Sequence, residues 1–218
     1  MIAADLKGRR ALVTGGSSGI GLATVERFAR AGATVALNHL ADDPRGPEQA
    51  ERLVAEGLSV VPVAGDVSKP GAAEAMVQDA LGRLGGLEYL VNNAGTSGTR
   101  EPIPMADLDA MTEEFWSLIL NTNLLGPFRC AHAAAGALRE AHGAIVNIAS
   151  IAGISSAGSS MAYGASKAGL ISLTRNLARA LAPEVRVNAV APGHVDTPWT
   201  RSWPEARRER AREAALLK

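Results

Sequence analysis

Ser150, Tyr163 and Lys167 are the residues whose types and spacing can do chemistry. Tyr163 and Lys167 stand four apart in a run with helical character, which places them on one helix face, one turn apart. A fixed cation beside a phenol favours the phenolate and lowers a pKa that is otherwise about 10. Tyr163 is therefore a candidate general acid/base. The stretch from Ser150 to Met161 is rich in glycine and serine, so Ser150 can fold back against Tyr163. Two hydroxyls would then aim at one small oxygen. A Tyr-x-x-x-Lys pair is also a common helical spacing, and its meaning depends on the rest of the chain.

The elements that must position this trio alternate between short apolar runs and helical patterns. Ala11 to Thr14 reads as a first strand, and Thr14-Gly-Gly-Ser-Ser-Gly-Ile-Gly21 opens a helix with Leu22, Val25, Phe28 and Ala29 on one face. Strand, glycine turn and helix form the context in which such a motif binds a pyrophosphate: no Cβ obstructs the approach, and the helix N-terminus offers N–H groups. A tight turn packing helix on strand is the structural alternative. The candidate binding residues are Gly15, Ser17, Ser18, Gly19, Ile20 and Gly21.

Thr34 to Leu37 reads as a second strand ending at Asn38 and His39. An acidic residue here would grip a ribose 2′-hydroxyl. The uncharged Asn38 leaves room for a 2′-phosphate, with Arg45 and His39 near enough in sequence to meet it, which favours NADP over NAD. Asp42 and Asp43 in the same loop weigh the other way. A helix is expected over Glu48 to Glu56, then a strand over Ser59 to Ala64 that holds Pro62 and so belongs at a sheet edge. Asp66 and Val67 follow where an adenine would lie; Asp66 is otherwise a turn residue. Ala72 to Leu84 reads as a helix and Leu87 to Val91 as the fourth strand, followed by Asn92, Asn93, Ala94 and Gly95. Small residues and amides beyond a strand's C-terminal end suit a cofactor floor, or tie neighbouring strands, or do both. Met111 to Ala141 reads as one long helical stretch that Pro127 should bend or break. Its later part, Ala131 to Ala137, is small and apolar nearly all round, as in a helix that is buried or packs closely on a partner. A strand over Gly143 to Ser150, a helix over Tyr163 to Leu181 and an apolar strand over Val185 to Val190 complete the alternation. Trp199 to Lys218 reads as an exposed helix with opposite-charge pairs such as Glu209 and Arg212. The fold class expected is α/β, a Rossmann-type doubly wound parallel sheet of order 3-2-1-4-5-6. Residues 1–218 read as one dinucleotide-binding and catalytic domain, with 194–218 as a substrate loop and exposed helix region.

The chain has 218 residues, 47% of them apolar, and no net charge, so nothing argues for nucleic acid or an anionic membrane surface as partner. Its single cysteine, Cys130, excludes an internal disulfide and fits a cytoplasmic setting. His39, His132, His142 and His194 are scattered and give no zinc pattern. The charged N-terminus lacks a signal peptide's apolar core, and no apolar run is long enough to cross a bilayer.

The set Thr14-Gly15-x3-Gly19-x-Gly21, Asn92-Asn93-Ala94-Gly95, Asn123, Ser150, Tyr163-x3-Lys167 and Pro192-Gly193 resembles the short-chain dehydrogenase/reductase family, from about residue 7 to the end of the chain. Each motif is weak alone; together, in order and at family spacing, they are specific. Within the family the chain loosely resembles 3-oxoacyl-(acyl carrier protein) reductases. The resemblance implies a catalytic tetrad of Asn123, Ser150, Tyr163 and Lys167. Tyr163 exchanges the proton with the carbonyl oxygen and Ser150 holds that oxygen. Lys167 lowers the tyrosine pKa and bonds the nicotinamide ribose, and Asn123 holds a water linking Lys167 to solvent. Pro192 and Gly193, the backbone at Val195 and the hydroxyl of Thr197 would face the nicotinamide, the last two orienting its carboxamide. A homo-oligomer, dimer or tetramer, is implied through the Asn123–Ala141 and Tyr163 helices. The family's seventh strand is absent from the sequence that ends at Lys218, which would leave the sixth as an open edge.

The expected activity is interconversion of a ketone and a secondary alcohol on a small molecule. The competing readings are a catalytically silent nucleotide sensor or scaffold, and an NAD-dependent polyol or sugar dehydrogenase. The substrate pocket is expected from Ser97 to Pro104, Ile151 to Met161 and His194 to Trp203. Trp199 and Trp203 form an apolar lid or pack elsewhere, and no arginine or lysine there marks an anionic substrate.

Overall fold

The computed structural model describes residues 4–156, 158–201 and 203–213. Six parallel strands lie in the order β3-β2-β1-β4-β5-β6, as the βα alternation requires. They are β1 Arg10–Val13, β2 Thr34–His39, β3 Val60–Ala64, β4 Tyr89–Asn92, β5 Ala144–Ile148 and β6 Arg186–Val190. The period-two alternation of strand side chains divides the core. Ala11, Val13, Val35 and Leu37 face α1 (Gly19–Arg30) and α2 (Arg45–Ala55), where Val25, Ala29, Ala50 and Leu53 are buried. Leu12, Ala36, Leu90 and Ile145 face the other way, onto α3 (Ala72–Leu84) and α5 (Gly126–Glu140). α6 (Met161–Leu181) lies on this second side and adds Leu181.

Pro62 sits in β3 at one edge, where its missing N–H costs no ladder bond. β6 lies at the other edge among the described residues, and of its apolar residues only Val187 is buried. The first and fourth strands are clamped at their N-terminal ends. Glu88 accepts from Arg10 N at 2.7 Å, Nε at 3.1 Å and a terminal guanidinium nitrogen at 2.7 Å. The guanidinium beside it holds the Glu88 carboxyl below the usual range, against the opposing effect of burial.

Several element boundaries differ from those read in the sequence. α2 starts at Arg45 rather than Glu48, because a first helical turn tolerates Pro47: its N–H would have no partner there anyway. The stretch over 111–141 is not one helix. α4 (Glu113–Leu120) runs into a π-helical turn, Asn121–Leu125, and then α5. Pro127 has no N–H to give, and the Gly126 N–H reaches back five residues to the Asn121 carbonyl. α6 begins at Met161, where the Ser160 hydroxyl accepts from the Tyr163 N–H at 3.1 Å. The C-terminal stretch forms two pieces, α7 (Pro198–Arg201) and α8 (Glu205–Glu213), with Glu205 paired to Arg208 and Arg212 in place of the expected Glu209–Arg212 pair. The expected continuation of that helix over 214–218 lies outside the described residues.

Candidate active site

The C-terminal ends of the strands open onto one cleft of about 950 Å³, lined by residues of every βα loop named above. At one end the glycine loop leaves β1. Gly15 and Gly19 have φ of +63° and +55°, a region that side chains rarely adopt. A Cβ on Gly21 would lie 2.1 Å from the Gly15 carbonyl oxygen, so helix and loop touch as only glycine permits. The loop is held from two sides. Thr14 Oγ1 accepts from Asn93 N and Ala94 N, both at 3.0 Å, and Asn93 Nδ2 donates to the carbonyls of Thr14 and Gly15. Asn38 Oδ1 accepts from Gly15 N at 3.1 Å. This is a cradle a pyrophosphate fits: small, turned sharply, and at a helix N-terminus. Asn92 ties strands instead, donating to Asn147 Oδ1 at 2.9 Å, while Asn147 donates to Thr174 on α6.

Beyond β2 the expected assignment changes in detail. Asn38 and His39 are both buried and engaged. Asn38 Nδ2 donates to the Gly65 carbonyl at 2.9 Å, and the His39 ring packs where a Cβ on Gly46 would sit. The groups that remain polar toward the cleft are Ser17, Asp43 and Arg45. Ser17 donates to Asp43 at 2.7 Å, and Asp43 accepts from Arg45 Nε at 2.7 Å. Arg45 and Ser17 together outweigh burial and lower the Asp43 carboxyl to about 2. Asp66 lines the cleft and also caps its own turn, accepting from Ser68 N at 2.9 Å. Both sequence alternatives for Asp66 are thus compatible with its position.

At the other end stand Ser150, Tyr163 and Lys167. Ser150 follows β5 and accepts from Ala152 N at 3.1 Å, and its hydroxyl draws the Tyr163 phenol pKa down against the larger, opposing effect of burial. The connecting loop is seated on α6 through Gly153, whose Cβ position lies 2.7 Å from the Lys167 carbonyl carbon. Lys167 is 4% exposed. Its Nζ donates to the Ile148 carbonyl at 2.8 Å and lies 5.8 Å from the centre of the Tyr163 ring. Asn123 is fully buried in the π-helical turn. Its amide accepts from Thr96 N at 2.8 Å and donates to Thr96 O at 2.9 Å and Ser166 Oγ at 3.2 Å. A Cβ on Gly95 would lie 3.2 Å from Asn123 Oδ1 and 3.5 Å from Lys167 Nζ, so the three meet across that glycine. All four expected tetrad residues therefore converge.

One expectation about them is corrected. The Tyr163 phenol is not lowered in this structure: burial raises its pKa, and the Ser150 hydrogen bond only partly offsets that. Lys167 also yields to burial, and its pKa falls to about 8. Removing both groups from water outweighs their mutual effect at this separation.

Pro192, Gly193, Val195 and Thr197 also line the cleft, and Thr197 Cβ is 3.4 Å from the Cβ position of Gly19. The segment from 194 thus bridges the tetrad end and the glycine loop. Trp199 meets the Tyr163 ring edge-on at 6.3 Å, consistent with the apolar cover expected of it. Sequence reading missed Thr96 and Ser166, which bond Asn123 from 27 and 43 residues away and leave no spacing signature. It also missed Asp43–Ser17, whose partners are distant in sequence.

This is the fold and site of a nucleotide-dependent oxidoreductase of the Rossmann type. The family model described as short chain dehydrogenase matches residues 9–208, and the chain belongs to that family of NAD(P)-dependent enzymes. It is 43% identical over 193 residues to a Streptomyces violaceoruber protein assigned to the granaticin polyketide synthase as its ketoacyl reductase 2, covering 88% of this chain and 75% of that protein. It is 38% identical over 212 residues to the 3-oxoacyl-(acyl-carrier-protein) reductase of Thermotoga maritima, covering 94% of this chain and 82% of that protein. The crystal structure of a short-chain dehydrogenase from Burkholderia cenocepacia in complex with NADP superposes with TM-score 0.80 at 36% identity, over 89% of this chain and 78% of that one. Among the described residues no helix is long and apolar enough to cross a membrane.

The buried lysine has a consequence for stability. Its folded pKa of about 8 lies below the ordinary 10.5, so between these values the unfolded chain binds a proton that the folded chain does not. Stability attributable to Lys167 therefore rises with pH across that window. Urea unfolding of wild type and Lys167→Met at the two ends of the window checks this. Wild type should gain stability relative to the variant at the alkaline end, and parallel curves would contradict the assignment.

Proposed function

We propose that this enzyme interconverts a ketone and a secondary alcohol, with Tyr163 as general acid/base and NADP as its preferred cofactor. The observation that carries the reading is the convergence of Ser150, Tyr163 and the buried Lys167 on one end of the cleft. When bound, the cofactor supplies or accepts the hydride. The residues supply the rest. Ser150 and Tyr163 donate to the substrate oxygen, and the raised phenol pKa keeps Tyr163 protonated at neutral pH, the form required for reduction. Lys167 stabilises the phenolate left behind and hydrogen-bonds the nicotinamide ribose. Asn123, fixed by its bonds to Thr96 and Ser166, holds a water that links Lys167 to solvent. Pro192, Gly193, Val195 and Thr197 face the nicotinamide. Residues 1–218 act as one catalytic domain, with 194–218 as its substrate loop and helix region, working in the cytoplasm. Tyr163→Phe should lower kcat by about 10²- to 10⁴-fold on a ketone panel while NADPH still binds. Unchanged turnover would reject the role.

The NADP preference rests on Arg45, the arginine that lines the adenine end of the cleft, and is supported by the NADP complex of the Burkholderia cenocepacia relative. A 2′-phosphate would compete with Asp43 for that guanidinium. Fluorescence titration should give NADPH at least ~10-fold tighter than NADH, a discrimination of ~1.4 kcal/mol. Asp43→Asn, which releases Arg45, should tighten NADPH further by ~5-fold, about 1 kcal/mol. Tighter NADH binding would instead assign Asp43 to the ribose hydroxyls and favour the polyol dehydrogenase reading.

The chain acts as a homodimer or homotetramer that pairs the Asn123–Ala141 and Tyr163 helices. Leu125 and Phe128 at the start of that surface are 41% and 45% exposed, more than isolated large apolar residues on one helix end require. Light scattering on the purified protein should give a multiple of the 22.5 kDa chain, and a monomer would reject the assembly.

A further inference from the structure

Arg207 is the second arginine of the cleft, and it stands at the tetrad end. Its guanidinium lies 3.5 Å from the centre of the Trp203 ring. Several of the charges nearby are already matched. Asp196 is paired with Arg201, and Glu205 with both Arg208 and Arg212. None of the ion pairs among the described residues includes Arg207. Burial alone acts on this guanidinium, pulling its pKa down. The same indole has a second polar neighbour. The His194 ring is 5.7 Å from Trp203, and His194 Nε2 is buried with no hydrogen-bond partner. A partly dehydrated guanidinium without an ion-pair partner and an orphaned imidazole nitrogen, both on one indole and both lining the cleft, form a polar set open to a ligand. Such groups are costly unless something supplies acceptors.

We propose that Arg207, stacked on Trp203 and assisted by His194, binds an anionic group carried by the ketone substrate, a carboxylate or phosphate remote from the reacting carbonyl. The inference rests on the proposed reductase reading and adds the substrate's chemical class to it. A planar guanidinium held flat on an indole presents its edge donors in one plane, which suits bidentate capture of such a group. It also replaces the expectation that no basic residue marks an anionic substrate. The expectation ended at Trp203, whereas α8 brings Arg207 back over the same ring.

Methyl-ketone acids of increasing chain length (acetoacetate, 4-oxopentanoate, 5-oxohexanoate and 6-oxoheptanoate), each compared with its ethyl ester, test the substrate arm. At least one acid should exceed its ester in kcat/KM by ~10-fold, expressed in KM. Arg207→Gln should bring that ratio close to one, and Arg207→Lys should restore part of it. Glutarate, a dianion with no ketone, tests the site without turnover. Added to the NADPH complex, it should change tryptophan emission saturably in wild type and not in Arg207→Gln. Turnover of the esters with no acid preference overturns the anion site and leaves the reductase reading standing. A saturable glutarate response with no turnover of any ketone overturns the reductase reading and supports the site. NADPH affinity weakened severalfold in Arg207→Gln would give the guanidinium to the cofactor's phosphates and overturn the proposal. A glutarate response that survives in the variant would do the same.

Discussion

The contact between Lys167 Nζ and the Ile148 carbonyl is the constraint on which the site depends. A lysine that is 4% exposed loses most of its hydration, and one main-chain oxygen at the end of β5 compensates part of that loss. The bond fixes α6 against the C-terminal end of the sheet. The other residues of the proposed tetrad are indexed from there. Tyr163 is one helical turn before Lys167, capped into the first turn by Ser160. Ser150 is two residues beyond Ile148, and its loop returns to α6 through the bare backbone of Gly153. Asn123 reaches the same place through Ser166, the residue before Lys167.

The opposite end of the cleft is built on a different principle. There the backbone itself is the proposed ligand surface, and side chains serve to hold it. Thr14, Asn38 and Asn93 all spend their polar atoms on main-chain partners of the glycine loop or its neighbours. The loop is thereby preorganised with its N–H groups free of Cβ atoms, and the polar cost of its sharp turn is met from within. One end is thus held by side chains bonded to the loop backbone, and the other by Lys167 bonded to Ile148 and by the Ser160 cap. The segment from 194 crosses between them, touching Gly19 through Thr197 and Tyr163 through Trp199.

The π-helical turn at Asn121–Leu125 shows how a local conflict serves the site. A proline six residues after Asn121 cannot donate into a regular helix, and the turn widens by one residue there. Arg129, on the helix that follows, donates to the carbonyls of Val67, Ser68 and Asn121. The turn that carries Asn123 is in this way joined to the loop after β3.

The sequence alone determined the architecture and named the candidate tetrad. Strand and helix alternation, Pro62 at an edge and glycines at strand ends are local signals, because each depends on backbone geometry that its own residue types impose. The glycine loop and the Tyr163–Lys167 face were legible for the same reason. What tertiary structure decided was every property that depends on who is dehydrated and who is already bonded. Asn38 looked like a vacancy beside a ribose, yet its amide is committed to Gly15 and Gly65 across two strand boundaries. Lys167 was expected to lower the tyrosine pKa, yet burial of both groups prevails and moves the phenol upward. Arg207 read as one charge among many on an exposed helix, and only the packing of α8 on Trp203 set it apart from its paired neighbours. Hydration and pairing are sums over neighbours far apart in the chain, and a linear pattern does not contain those sums.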